Sequence, residues 1–238
     1  MALLKFYPDL NDAGLFTPNG SLAVANGFLG LPTTGDLDRV NDWYDSAEIP
    51  FPNAGPATKT ITGFITVPVG APSGFLNAFT QHGGASSIVF QIAVRTNAGG
   101  GILAVFASGS TANKSQSNGD TNIADGKERF FAITANGNDI NIYLAETAAP
   151  TVVEETYVIN SIQDAVSGSG HTGTGVSQNL EVGSEQNGSN LFRGIIDRLR
   201  FDNETLSIVQ IQALLNAEIV LRDGPAGGSS AATLLLLS

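Results

Sequence analysis

Residues 129–145 carry the feature that most restricts the fold. Two apolar-rich arms, RFFAITA and DINIYLA, flank Asn136-Gly137-Asn138. In the second arm Ile140, Ile142 and Leu144 alternate with Asp139, Asn141 and Tyr143, so an extended segment presents one apolar and one polar face. Asn-Gly between alternating arms is hairpin chemistry, because both residues tolerate positive φ. A helical period would scatter the same apolar positions around a cylinder and leave no face to bury.

Other segments repeat this character. Ile61, Phe64, Ile65, Val67 and Val69 form a β-branched and aromatic run ending at Gly70. The runs 87–95 and 101–107 are joined by Asn97-Ala98-Gly99-Gly100, which suits a second hairpin. Further strands are expected over 151–159, near 179–182, and over 192–202 around Ile196, Leu199 and Phe201. The stretch 107–125, rich in Ser, Gly, Asn and Thr, reads as a surface loop or weak edge strand, and 165–177 as a low-complexity loop. Residues 1–58 read as irregular, broken by Pro8, Pro18, Pro32, Pro50, Pro52 and Pro56. One helix is expected. Ser207 and Gln210 make a capping box, Ile208, Ile211, Leu214, Leu215 and Ile219 recur at helical spacing, and the helix should end near Leu221. About eight strands with one short C-terminal-side helix predict an all-β fold, a two-sheet antiparallel jelly-roll sandwich. The expected organisation is an irregular arm with the first strands over 1–58, the sandwich core over 59–223, and an extended C-terminal arm over 224–238.

Charge narrows the partners. With 22 acidic against 11 basic side chains the net charge is −11, which removes the electrostatic drive for binding nucleic acid or anionic membranes. The chain has no cysteine, hence no disulfide framework and no thiolate nucleophile or metal ligand. Residues 1–15 lack the pattern of a secretory signal, and no run approaches the ~18 apolar residues of a membrane span. The expectation is a cytoplasmically made, soluble protein. The Asn-x-Ser/Thr triplets at Asn19, Asn113, Asn187 and Asn203 then read as surface turns.

Two segments resemble the laminin-G-like (LamG) modules of the concanavalin A-like lectin/glucanase fold. The first is Asp125-Gly126-Lys127 leading into the 129–145 hairpin. The second is Phe192-Arg193-Gly194-Ile195-Ile196-Asp197-Arg198-Leu199-Arg200-Phe201, followed by Leu206-Ser207 and the helix. The sequence departs from that family where Glu128-Arg129 stands in place of Trp-His and Ala145-Glu146 in place of Asp-Gly. The resemblance covers roughly the second half of the chain and implies the concanavalin A-like fold, not a ligand.

Some relatives of that fold hydrolyse glucans with a Glu-x-Asp-x-x-Glu strand. That motif is absent here; the nearest acidic pairs are Glu154-Glu155 and Glu181 with Glu185, and no catalytic residue is nominated. His82 and His171 stand alone in glycine-rich loops. Asp36, Asp38, Asp42 and Asp45 crowd one segment with Trp43 and Tyr44; a solvated acidic loop is the plain reading, and a calcium-organised loop beside an aromatic sugar platform at Trp43 and Tyr44 the sharper one. Leu234, Leu235, Leu236 and Leu237 follow a glycine- and serine-rich linker and are expected to act as an assembly arm docking on neighbouring subunits.

The functional expectation is a non-enzymatic virion structural protein, a phage capsid decoration or tail-associated component that contacts other virion proteins and itself as a homo-oligomer. The alternative is a carbohydrate-binding, lectin-like module recognising surface glycans. A glycoside hydrolase is a distant third.

Overall fold

In a computed structural model of the chain the described residues are 3–7, 16–19, 43–46, 50–51, 58–71, 74–82, 88–95, 100–107, 114–137, 139–163, 179–184 and 192–223. They form β1 (Leu3–Tyr7), β2 (Phe16–Asn19), β3 (Trp43–Ser46), β4 (Thr58–Thr66), β5 (Phe75–His82), β6 (Ile88–Arg95), β7 (Gly101–Ala107), β8 (Lys114–Gly119), β9 (Glu128–Asn136), β10 (Asp139–Glu146), β11 (Ala149–Glu154), β12 (Tyr157–Gln163), β13 (Leu180–Val182), β14 (Ile195–Asp202) and the helix α1 (Ile208–Asp223). A six-stranded sheet, in the order β1-β14-β4-β9-β10-β11, faces an eight-stranded sheet ordered β12-β8-β7-β6-β5-β13-β3-β2. Every pairing is antiparallel. The two-sheet sandwich with one helix is the architecture the alternating arms predict.

The hairpin forms as its sequence requires. β9 and β10 pair without a register shift from Asn136↔Asp139 to Arg129↔Glu146, and Gly137 sits at φ 63° in the turn. Phe131, Ile133, Ala135, Ile140, Ile142 and Leu144 face the other sheet. The opposite face is buried too: Phe130, Ala132, Tyr143 and Ala145 lie under α1 with Ile211, Leu214 and Leu215. The capping box is formed, since Ser207 N–H donates to Gln210 Oε1 (2.8 Å) and Gln210 N–H to Ser207 Oγ (3.4 Å).

Three elements differ from expectation. Residues 151–159 are two strands, because the chain leaves the six-stranded sheet at Glu155-Thr156 and enters the eight-stranded one. At this corner Ile142 donates its N–H to Tyr157 Oη (2.9 Å) and accepts from Glu155 N–H (2.8 Å), while Glu155 takes both the N–H and the hydroxyl of Thr121. The polar stretch after Ala107 holds β8, which lies inside the sheet between β7 and β12 instead of at its edge. Its Ser117 hydroxyl donates across the sandwich to Ile140 O (2.8 Å), so this polar side chain is satisfied where an apolar one was expected. β5 escaped the pattern because a bulge between Asn77 and Phe79 turns Leu76, Ala78 and Phe79 all inward, which breaks the period of two. Within 1–58, β1 extends the six-stranded sheet and β2 and β3 the eight-stranded one.

The core closes around one loop residue. Gln81 grips the backbone of Phe51 from both sides, accepting from its N–H (3.1 Å) and donating to its C=O (2.6 Å). This sets the ring against Phe90 and Phe201. The other end of the molecule uses the same device. Gln212 of α1 accepts from Val152 N–H and donates to Pro150 O, both at 2.8 Å, so the free edge of β11 is covered by a helix side chain. We expect Gln212→Ala to cost about 1 kcal/mol in chemical denaturation and to increase aggregation, since it uncovers two backbone groups on an edge strand.

Lys59 occupies an inward-facing register opposite Ala135, is 1% exposed, and places Nζ 5.6 Å from the Phe51 ring centroid. Burial pulls its ammonium down from 10.5 to about 8. The unfolded chain therefore holds this proton more tightly than the folded one between pH 8 and 10.5, and folding stability rises with pH across that window. Tyr157, pushed up by burial, acts in the opposite sense above pH ~10. The thermal midpoint should climb from pH 8 to 10 by an amount corresponding to about 2–3 kcal/mol. Lys59→Met should flatten the climb; an equal slope in both proteins would show that Lys59 is not its source.

Candidate functional site

The two outer faces of the sandwich differ. α1 lies on the six-stranded sheet, while the outer face of the eight-stranded one is lined largely by polar side chains. Strand register assembles that face. One row crosses the sheet as Thr17↔Asp45↔Glu181↔Thr80↔Gln91↔Val105↔Gln116. A second row reads Asn77↔Ala93↔Leu103↔Asn118. Residues paired in register share a face, and rows two residues apart lie about 7 Å from each other. Along β6 the inward positions are apolar: Phe90, Ile92 and Val94 alternate with Gln91, Ala93 and Arg95.

The face is polar yet closed to solvent. Asn77, Thr80, Gln91, Asn118, Glu181 and Ser184 are buried, as are Leu103 and Val105 between them. Gln91 Nε2 donates to Asn77 Oδ1 (2.7 Å), and the Ser184 hydroxyl donates to Glu181 Oε2 (3.0 Å). Among the described residues four buried side-chain polar atoms have no hydrogen-bond partner, and three of them, Thr80 Oγ1, Arg95 Nε and Asn118 Oδ1, belong to this face. A buried polar atom without a partner costs about 1–3 kcal/mol, so each of the three is a place where an added donor or acceptor would be stabilising. Chemically the face offers a hydroxyl, a guanidinium N–H and an amide oxygen, spread over β5, β6 and β8.

Of the residues the sequence nominated, Asp45 lies in the first of these rows. Trp43, Tyr44 and Asp45 fall on β3, a strand of this same sheet instead of an irregular loop, and Asp45 stands in register with Glu181. Asp36, Asp38 and Asp42, and the arm residues Leu234, Leu235, Leu236 and Leu237, lie outside the described residues, as does Glu185. No group of three or more metal-ligating side chains occurs among the described residues. Glu154 accepts from Tyr157 Oη (3.2 Å), and Glu155 holds Thr121. Reading the sequence overlooked Asn77, Thr80, Gln91, Arg95 and Asn118. For Gln91 the signal is an isolated amide inside an apolar strand, IVFQIAV; Thr80, Arg95 and Asn118 carry no comparable local mark.

Arg129 pairs with Asp125 through both guanidinium ends, at 2.7 and 2.8 Å, and holds that carboxyl down to about 2; Lys127 reaches Glu146 at 2.8 Å.

Comparisons with known proteins agree with the fold. No protein-family model matches the chain, and no curated protein does. Solved structures do. The receptor-binding domain of a botulinum neurotoxin C/D mosaic serotype aligns with 92% of this chain and 52% of its own, at 10% identity and TM-score 0.55. A GH54 α-L-arabinofuranosidase soaked with 4-nitrophenyl α-L-arabinofuranoside aligns over 74% of this chain and 38% of its own, at 11% identity and TM-score 0.54. Tailspike protein 2 of Escherichia coli O157:H7 bacteriophage CAB120 aligns over 73% of this chain and 23% of its own, at 15% identity and TM-score 0.50. The chain thus spans about half or less of each of these molecules. Together with the two antiparallel sheets, these likenesses define the fold: a two-sheet antiparallel β-sandwich of jelly-roll type. Among the described residues no helix is long and apolar enough to cross a membrane.

Thr80→Val keeps the side-chain shape and removes an unpartnered hydroxyl. We expect it to leave stability unchanged or raise it by about 1 kcal/mol in urea denaturation, whereas a loss of more than about 1 kcal/mol would reveal a hydrogen bond that Thr80 does make.

Proposed function

We propose that this chain is a non-catalytic, lectin-like binding module that takes a hydroxyl-rich saccharide on the outer face of its eight-stranded sheet. The observation that carries the reading is that Thr80 Oγ1, Arg95 Nε and Asn118 Oδ1, buried and without partners, all belong to the outer face of this sheet, on which Leu103 and Val105 also lie. Sugar rings offer what such a face needs: hydroxyls that both donate and accept, and C–H patches that lie on aliphatic side chains. Because the face is closed to solvent, binding requires that whatever shields it gives way, so association should be slow relative to an open cleft. Glu154 accepts from Tyr157 and Glu155 from Thr121, so both carboxylates take part in the corner between β11 and β12.

The test is a saccharide panel followed by calorimetry on the best ligand. Micromolar to millimolar binding is expected, with Thr80→Val and Asn118→Ala each weakening it about tenfold, the loss of one good hydrogen bond to a neutral group. No saccharide binding at millimolar concentration, or full affinity in both variants, would overturn the reading.

A virion-associated structural role is the second reading. The likeness to a phage tailspike over 73% of this chain favours it. Host-surface recognition by a tail component would unite the two, and co-purification with phage particles would separate them from a free lectin.

A further inference from the structure

Basic side chains are scarce in this chain, and most of those described are engaged. Lys127, Arg129, Arg198 and Arg200 each join a carboxylate, and Lys59 lies over the Phe51 ring. Among the described residues Arg95 and Arg193 form no ion pair, and the Nε of each is buried without a hydrogen-bond partner. With 22 acidic side chains against 11 basic, a guanidinium left without a carboxylate runs against the composition. Arg193 precedes β14 of the six-stranded sheet, whereas Arg95 ends β6 on the candidate ligand face. The surroundings of Arg95 bring a second unpartnered atom near it. Its register partner on β7 is Gly101, where the Gly119 carbonyl oxygen packs against the position that a Cβ would occupy. The same oxygen accepts from Asn118 Nδ2 (2.9 Å), while Asn118 Oδ1 has no donor. Cβ positions paired across strands lie about 5 Å apart, which puts the Asn118 amide within about 10 Å of the Arg95 Cβ, a gap that one sugar ring with its substituents can bridge. Asp120 continues the chain at this point and forms no ion pair with Arg95.

Resting on the saccharide reading above, we propose that the sugar taken by this face carries a carboxylate, held by Arg95, while one of its hydroxyls donates to Asn118 Oδ1. The two protein groups are chemically distinct and so orient the ligand. A guanidinium only donates, in a planar fork that matches a carboxylate, and such charge-assisted bonds are about twice as strong as neutral ones. The free Asn118 oxygen only accepts, which suits a sugar hydroxyl and rejects an ionised acid. Arg95 is half-buried and Asn118 fully buried, so the acid is engaged nearer to solvent and the hydroxyl deeper in the face. One carboxylate held by one guanidinium needs no positive field around it, so the net charge of −11 does not stand in the way.

The test is calorimetric titration of the full chain with a uronic acid trisaccharide and a sialylated trisaccharide, each beside its uncharged methyl ester. In at least one pair the acid should bind about tenfold or more tightly than its ester, the gain from one charge-assisted hydrogen bond. Arg95→Gln should bring that acid down to the level of its ester and leave the ester unchanged. Lys127→Gln removes the same charge from an exposed side chain ahead of β9 on the other sheet and should alter neither. Equal binding of acid and ester in both pairs would overturn the carboxylate and leave the saccharide reading standing, as would binding confined to neutral sugars of the wider panel. Failure of every saccharide to bind would remove both. Undiminished affinity for the acid in a folded Arg95→Gln protein would overturn the role of Arg95, and if that variant does not fold, the comparison of acid with ester on the unsubstituted chain still decides the ligand class.

Discussion

Six phenylalanine rings hold the two sheets at their spacing. Phe131 and Phe201 come from the six-stranded sheet, Phe79, Phe90 and Phe106 from the eight-stranded one, and Phe51 from the loop between β3 and β4. Their centroids lie 5.6–6.5 Å apart, mostly edge to face, with Phe79 stacked on Phe131 across the gap. Such pairs contribute about 0.5–1.5 kcal/mol beyond the area they bury, and they interlock, so none can shift alone. Gln81, the Phe51 backbone and the Lys59 ammonium are arranged around this cluster, which is why a polar amide and a lysine sit inside the core at all.

Once the sheets are so clamped, the helix decides what each outer face does. By lying on the six-stranded sheet, α1 turns Tyr143, Phe64 and Phe130 into a second core and leaves polar residues to accumulate on the other sheet. The Arg198–Glu218 pair and the Gln212 bridge to β11 fix the helix in place, the first from a bulge in β14 where Arg198 takes φ 52°. The candidate ligand face owes its position to this division of labour between the two sheets.

How much of this was legible in the sequence varied with the source of the order. The 129–145 hairpin and the capped helix were readable because their determinants are local: an Asn-Gly turn, a period of two, a Ser-x-x-Gln box. The corner at Glu155-Thr156 was not, since 151–159 has uniform β character and the break is set by Ile142 and Thr121, both distant in sequence. β5 was hidden by its bulge and β8 by its polarity. Trp43, Tyr44 and Asp45 drew attention as an acidic and aromatic cluster, but their strand position depends on pairing with β13, more than 130 residues away.

The sequence by itself determined that the chain is β-rich, where its tightest turn falls, where the helix begins, and that its charge and lack of cysteine close off whole classes of chemistry. Those properties follow from composition and from contacts within a few residues. Only the tertiary structure decided which strands share a sheet, which face α1 covers, and that Thr80, Arg95 and Asn118 lie on one face. The physical reason is that strand pairing joins residues across long loops whose closure costs almost the same for many alternatives. Register and face were selected by the fit of side chains in the shared core, a property of pairs that no single strand carries.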